Sequence, residues 1–164
     1  MVLVEDLISG HNDIVMAFFA LLSIWLFLRK KWFFSLFSLL FSLGIKYMTV
    51  VFLPFWFLGF LLIRRGVKID FSLAFRLLAW ASILVFALFV FKFEFQPWYL
   101  IWVIPFVALA LEDRMLVGLA TALSIAGLLR YAPFLYYGHY NPPVPQIKFW
   151  LTVVTALILL VKVV

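Results

Sequence analysis

The stretch WFFSLFSLLFSLGIKYMTVVFLPFWFLGFLLI, residues 32–63, carries a single charge, Lys46, between two basic flanks, Arg29-Lys30-Lys31 and Arg64-Arg65. It reads either as one long tilted helix or as a hairpin turning at Gly44-Ile45-Lys46. Charge separates the two readings. One crossing would put the basic flanks on opposite sides of a membrane, whereas a hairpin returns them to the same side, as the positive-inside rule favours. The hairpin is therefore expected.

The same character extends in both directions. Of the 164 residues, 68% are hydrophobic and 12% charged, and the mean hydropathy is +1.22, well outside the range of soluble domains. Lipid offers backbone groups no hydrogen bonds, so only helices or a closed barrel can span it. Barrel strands alternate apolar and polar residues, but these runs are continuously apolar. The expected fold is an all-α, polytopic transmembrane bundle forming one domain over 1–164, with about seven membrane helices near 13–28, 32–45, 47–63, 71–91, 97–111, 115–130 and 146–163. Several of these are shorter than the ~20 residues that cross a ~30 Å hydrocarbon core unaided. Pro54 and Pro105 are expected to kink their helices, because proline lacks the amide proton of the helix ladder. The longest polar connection is 131–145.

With the hairpin in place, Arg29, Lys30, Lys31, Arg64, Arg65, Lys68, Arg114 and Lys162 collect on one side, and Lys46, Lys92, Arg130 and Lys148 on the other. This asymmetry predicts seven crossings of the cytoplasmic membrane, with the N-terminus outside and the C-terminus cytoplasmic. Arg76, one turn into its span, is expected to snorkel to the inner interface. The net charge of +6 then reports topology and contact with anionic lipid heads, not a nucleic-acid partner. Cysteine is absent, which excludes disulfides and thiolate metal sites. Glu5 and Asp6, with no basic region before them, do not read as a cleavable signal.

The unusual residues fall at outer helix ends: His11-Asn12-Asp13, Lys46-Tyr47, Glu94 to Tyr99, and Arg130-Tyr131 onward. Each has an ordinary explanation. Asp13 suits a helix N-cap, and a lone Lys46 suits snorkelling. Pro97 suits a first helical turn, with Trp98 and Tyr99 in the interfacial aromatic belt. Ser35, Ser38 and Ser42, and Gly118, Ala122 and Ala126, are spaced for close helix packing. Taken together, the outer residues also match the needs of transfer from a lipid-phosphate donor. That chemistry needs cations for the phosphate, a carboxylate to take a hydroxyl proton, and aromatic or amide groups to hold a sugar. Lys46 and Arg130 are the candidate phosphate-binding cations, expected to approach each other. Asp13 and Glu94 are the candidate catalytic carboxylates. Gln96, Trp98, Tyr99, Tyr136 and Tyr137 are the candidate sugar-binding groups. No cofactor is evident; a divalent cation is compatible with Asp13 and Asn12.

The string Val4 to Met16, with Glu5 and Gly10-His11-Asn12-Asp13, resembles the Glu…Gly-His-Asn-Asp segment of multipass GT-C fold mannosyltransferases and related polyprenyl-phosphate-hexose glycosyltransferases. Ile45-Lys46-Tyr47 with Leu53-Pro54 is similar to their Lys-Tyr/Leu…Pro hairpin, and Gln96-Pro97-Trp98-Tyr99-Leu100-Ile101-Trp102 to their Gln-Pro-Trp-Tyr helix start. Arg130-Tyr131…Tyr136-Tyr137-Gly138 completes the order. The resemblance implies inverting transfer of a hexose from a polyprenyl-phosphate sugar to a lipid or glycan acceptor outside the membrane. It adds His11, Asn12 and Tyr131 to the substrate-binding candidates. Members of this superfamily carry their catalytic aspartate in a large external loop ahead of the segment matched here. The resemblance therefore implies the C-terminal half of a longer transferase, needing an N-terminal half or a partner subunit. The alternative is a non-catalytic membrane subunit that binds sugar-lipid or a partner transferase. A transporter is disfavoured, because charged and polar residues do not line the middle of several helices.

Overall fold

A computed structural model describes residues 12–161, which form helices joined by short turns, with no strand among the described residues. In chain order these are α1 (Asp13–Leu28), α2 (Trp32–Ile45), a 3₁₀ turn (Tyr47–Val51) running into α3 (Phe52–Arg64), and α4 (Phe71–Lys92). There follow a 3₁₀ helix (Pro97–Trp102), α5 (Ile104–Val107), α6 (Arg114–Leu129), α7 (Tyr131–Tyr137) and α8 (Val144–Val161).

Local chemistry sets most of these ends. Asp70 and Asp113 cap α4 and α6, their carboxylates accepting the amide protons of Leu73 and Leu116, each at 3.1 Å. The α1–α2 turn closes as a Schellman motif, with Lys30 N–H bonded to Phe27 O, Lys31 N–H to Leu26 O, and Lys30 left-handed at φ 58°. After α3 the same motif recurs with Gly66 at φ 76°. Serines join α1 to α2. Ser23 and Ser35 each donate to the other's carbonyl at 2.8 Å, Ser38 donates to Phe19 O at 2.7 Å and Ser42 to Met16 O at 2.8 Å. Small residues again allow close approach on α6, where Gly118, Ala122 and Ala126 are buried.

Two expected elements differ. The span 97–111 is not one helix. It is a 3₁₀ helix, a break at Val103 and the short α5 with Pro105 in its first turn. This irregular segment runs through the middle of the bundle, where Leu100, Val103 and Phe106 are almost fully buried. Irregular backbone at membrane depth is tolerated where protein surrounds it. The connection 131–145 is not wholly a loop either, because 131–137 forms α7, which directly continues α6. At Pro54 the chain has just changed from 3₁₀ to α geometry, and the proline lies in the first turn of α3.

Among the described residues three helical segments are long and apolar enough to cross a membrane: Tyr47–Arg64, Phe71–Lys92 and Arg114–Tyr137. Helix α1, at 16 residues, spans about 24 Å at 1.5 Å per residue, short of the ~30 Å core. Large apolar side chains cover the outside, including Phe33, Phe91 and Leu135. That is the surface expected of a chain whose solvent is hydrocarbon.

Candidate functional site

Asp13 opens α1 but does not cap it. Asn12 holds the cap position without a side-chain bond, and Asp13 lies fully buried one residue on. Antiparallel pairing of α1 and α2 brings the end of α2 beside it, and Lys46 Nζ meets Asp13 Oδ1 at 2.6 Å. The indole N–H of Trp102 donates to the same oxygen. Asp13 Oδ2 is buried, with no hydrogen-bond donor among the described residues. Lys46 also lies 5.5 Å from the centre of the Trp102 ring. Its side chain keeps 27% of its surface exposed, so the lysine is the accessible end of the pair.

The 3₁₀ helix explains how Trp102 reaches this position. In 3₁₀ geometry residues i and i+3 eclipse, so Tyr99 and Trp102 stack with ring centres 4.5 Å apart. Phe89 of α4 packs edge-on against both rings. Tyr99 is thus a packed member of the cluster, in contact with Met16, Met48 and Trp102, beyond a simple place in an aromatic belt.

A second ion cluster occupies the same end of the bundle. Glu94, just after α4, accepts from Arg130 at 2.7 Å and lies 3.4 Å from Lys148. Arg130 is buried at the end of α6, donates to Thr152 Oγ at 3.2 Å and sits over the Phe95 ring, while its Nε has no partner among the described residues.

The structure therefore sorts the candidates into two groups. Asp13, Lys46 and Tyr99 come together, as do Glu94 and Arg130, but Lys46 and Arg130 belong to separate ion clusters. Gln96 and Trp98 flank the second group, half-buried at the start of the 3₁₀ helix. Asn12 is exposed, and Tyr131 is half-buried at the start of α7. Tyr136 and Tyr137 pack on one another on the exposed face of α7. His11 lies outside the described residues. Among the described residues no three His, Asp or Glu side chains converge.

Trp102, Lys148 and Thr152 are the members that sequence reasoning missed. Trp102 ends the Gln-Pro-Trp-Tyr stretch, and a 3₁₀ period would have placed it beside Tyr99. Nothing local marks Lys148 or Thr152. Comparison of the chain with protein-family models, with curated proteins and with solved structures finds no match.

Proposed function

We propose that the chain is a glycosyltransferase component of the cytoplasmic membrane that handles a hexose carried on polyprenyl phosphate at the outer face. In this reading the chain crosses seven times, with the N-terminus outside. The observation that carries it is the Asp13–Lys46–Trp102 cluster. A fully buried carboxylate fixes an accessible ammonium at a helix end and keeps one oxygen without a donor among the described residues. A buried unsatisfied carboxylate oxygen is costly in a structural pair. It is suited to a site where Asp13 and Trp102 hold the geometry and Lys46, still paired with Asp13, turns its remaining ammonium protons to a phosphate oxygen.

Asp13 is too buried to meet an acceptor hydroxyl directly, so in this reading it positions Lys46. Glu94, 62% exposed, is the carboxylate that an acceptor can reach. Its Oε1 already serves Arg130 and Lys148, which favours a proton-accepting carboxylate from a second polypeptide. The same ion pairing favours the alternative, a subunit that binds sugar-lipid without transferring it.

Proteoliposomes with polyprenyl-phosphate-mannose, with and without co-expressed membrane partners, test both. Binding is followed with radiolabelled donor retained by the proteoliposomes. Loss of binding in Lys46→Gln and its recovery in Lys46→Arg are expected. Binding without transfer under every condition selects the subunit reading, and unaltered binding in Lys46→Gln removes the phosphate site.

A further inference from the structure

At the opposite, basic end of the bundle, α1, α3 and the start of α4 line a half-open cavity of about 450 Å³. That lies within the ~300–1,000 Å³ typical of ligand pockets. Its wall is almost wholly apolar, from Ala20, Leu39 and Leu78 at depth to Leu28 and Phe71 near the mouth. The polar contribution lies at depth in Ser23 and at the mouth, where Lys68 and Asp70 line it. Gly59 keeps the α1–α3 wall close, since a Cβ there would come within 2.9 Å of the Phe27 ring. Trp56 lines the wall, its indole N–H donating to Ser35 at 2.8 Å.

Lys68 and Asp70 balance each other in the lining, but the flanking chain adds only cations: Arg64 ends α3, Arg65 and Lys68 follow it, all three exposed, and Arg29 follows the lining residue Leu28. Among the described residues none of these four is in an ion pair. The nearby acids are engaged: Asp70 caps α4 and Glu112 accepts from the Ser72 hydroxyl.

An apolar chamber at membrane depth beneath unpaired cations matches one class of occupant. The geometry points to a binding site for an anionic phospholipid, with an acyl chain between α1, α3 and α4 and the headgroup phosphate at Lys68, Arg64 and Arg65. Basic pockets between membrane helices hold anionic headgroups through this combination. The site needs the chain to lie in a membrane, and it is independent of the transferase reading.

Trp56 supplies the readout. The purified full chain in mixed micelles is titrated with phosphatidylglycerol or phosphatidylcholine brominated on the acyl chain, and quenching of Trp56 is taken as the difference from Trp56→Phe. Brominated phosphatidylglycerol is expected to quench Trp56 at lower concentration than brominated phosphatidylcholine. Lys68→Gln is expected to weaken the phosphatidylglycerol response about fivefold, the effect of one cation near an anionic surface, and to leave phosphatidylcholine unchanged. Ala74→Phe, which fills the chamber, should abolish Trp56 quenching by both. Equal responses to the two lipids overturn the headgroup site. Absence of any Trp56 component overturns the acyl site and leaves the chamber to a helix of another chain.

Discussion

A carboxylate with no exposed surface is stable in this environment only because of what surrounds it. Asp13 gains an ammonium and an indole N–H on one oxygen, and the other oxygen receives nothing from the described residues. Removing one partner of a buried pair strands the other charge, whereas replacing both with apolar groups is often neutral. Asp13→Asn is therefore expected to destabilise the chain by roughly 2–3 kcal/mol, and Lys46→Met in the same background to recover much of that loss. Equilibrium unfolding in mixed micelles measures both; additive losses would mean that the pair is not coupled. In the proposed transferase, Asp13→Asn is also expected to cost more than about tenfold in transfer rate. The positioned group then falls at or below the ~10²–10⁴-fold range of direct proton transfer. Full activity in a folded variant would reduce Asp13 to a structural residue.

Helix ends and helix seams make separate demands. Gly66 closes α3 at φ 76° with open space around its missing Cβ, so the cost of a side chain there is conformational. Gly66→Ala is expected to cost about 1 kcal/mol, and no loss in equilibrium unfolding would show that the turn relaxes. On the α1–α2 seam, Ser35 accepts from Trp56 as well as bonding Ser23, while Ser38 makes one bond to Phe19 O. Ser35→Ala strands an indole N–H and should cost about 1–2 kcal/mol. Ser38→Ala should cost about 0.6 kcal/mol, the average of such bonds in membrane bundles. Equal losses at the two positions would show that Trp56 finds another acceptor.

At the scale of the molecule, the irregular segment 97–107 is the centre about which the regular helices pack. Its 3₁₀ helix joins the two ion clusters, with Trp102 in one and Phe95, just before it, under Arg130 of the other. The proposed topology can be tested directly, because the chain has no cysteine of its own. Gly44 is exposed, with nothing within 4 Å of a Cβ, so Gly44→Cys leaves the hairpin intact. Labelling by an impermeant maleimide from outside intact cells is the expected result. Labelling only after permeabilisation would reverse the orientation.

Helix positions governed by neighbouring residues were legible in the sequence. The limits 13–28 and 32–45 are those of α1 and α2, because an apolar run ended by Arg29-Lys30-Lys31 or Lys46 has few other ways to satisfy its backbone. The hairpin at Gly44-Ile45-Lys46 and the packing roles of Ser35, Ser38 and Ser42 follow equally from spacing and charge. Partnerships between distant residues were not legible. Asp13 as an N-cap and Lys46 as a snorkelling cation were both sound local readings. Each gave way because antiparallel packing placed an ammonium beside a carboxylate 33 positions away. Trp102 arrived from 89 positions away, and only through a 3₁₀ period that composition does not announce. Local propensity chooses helix or turn from a few neighbouring residues, whereas the pairing of buried charges depends on which helix ends meet. That is a property of the whole packed bundle.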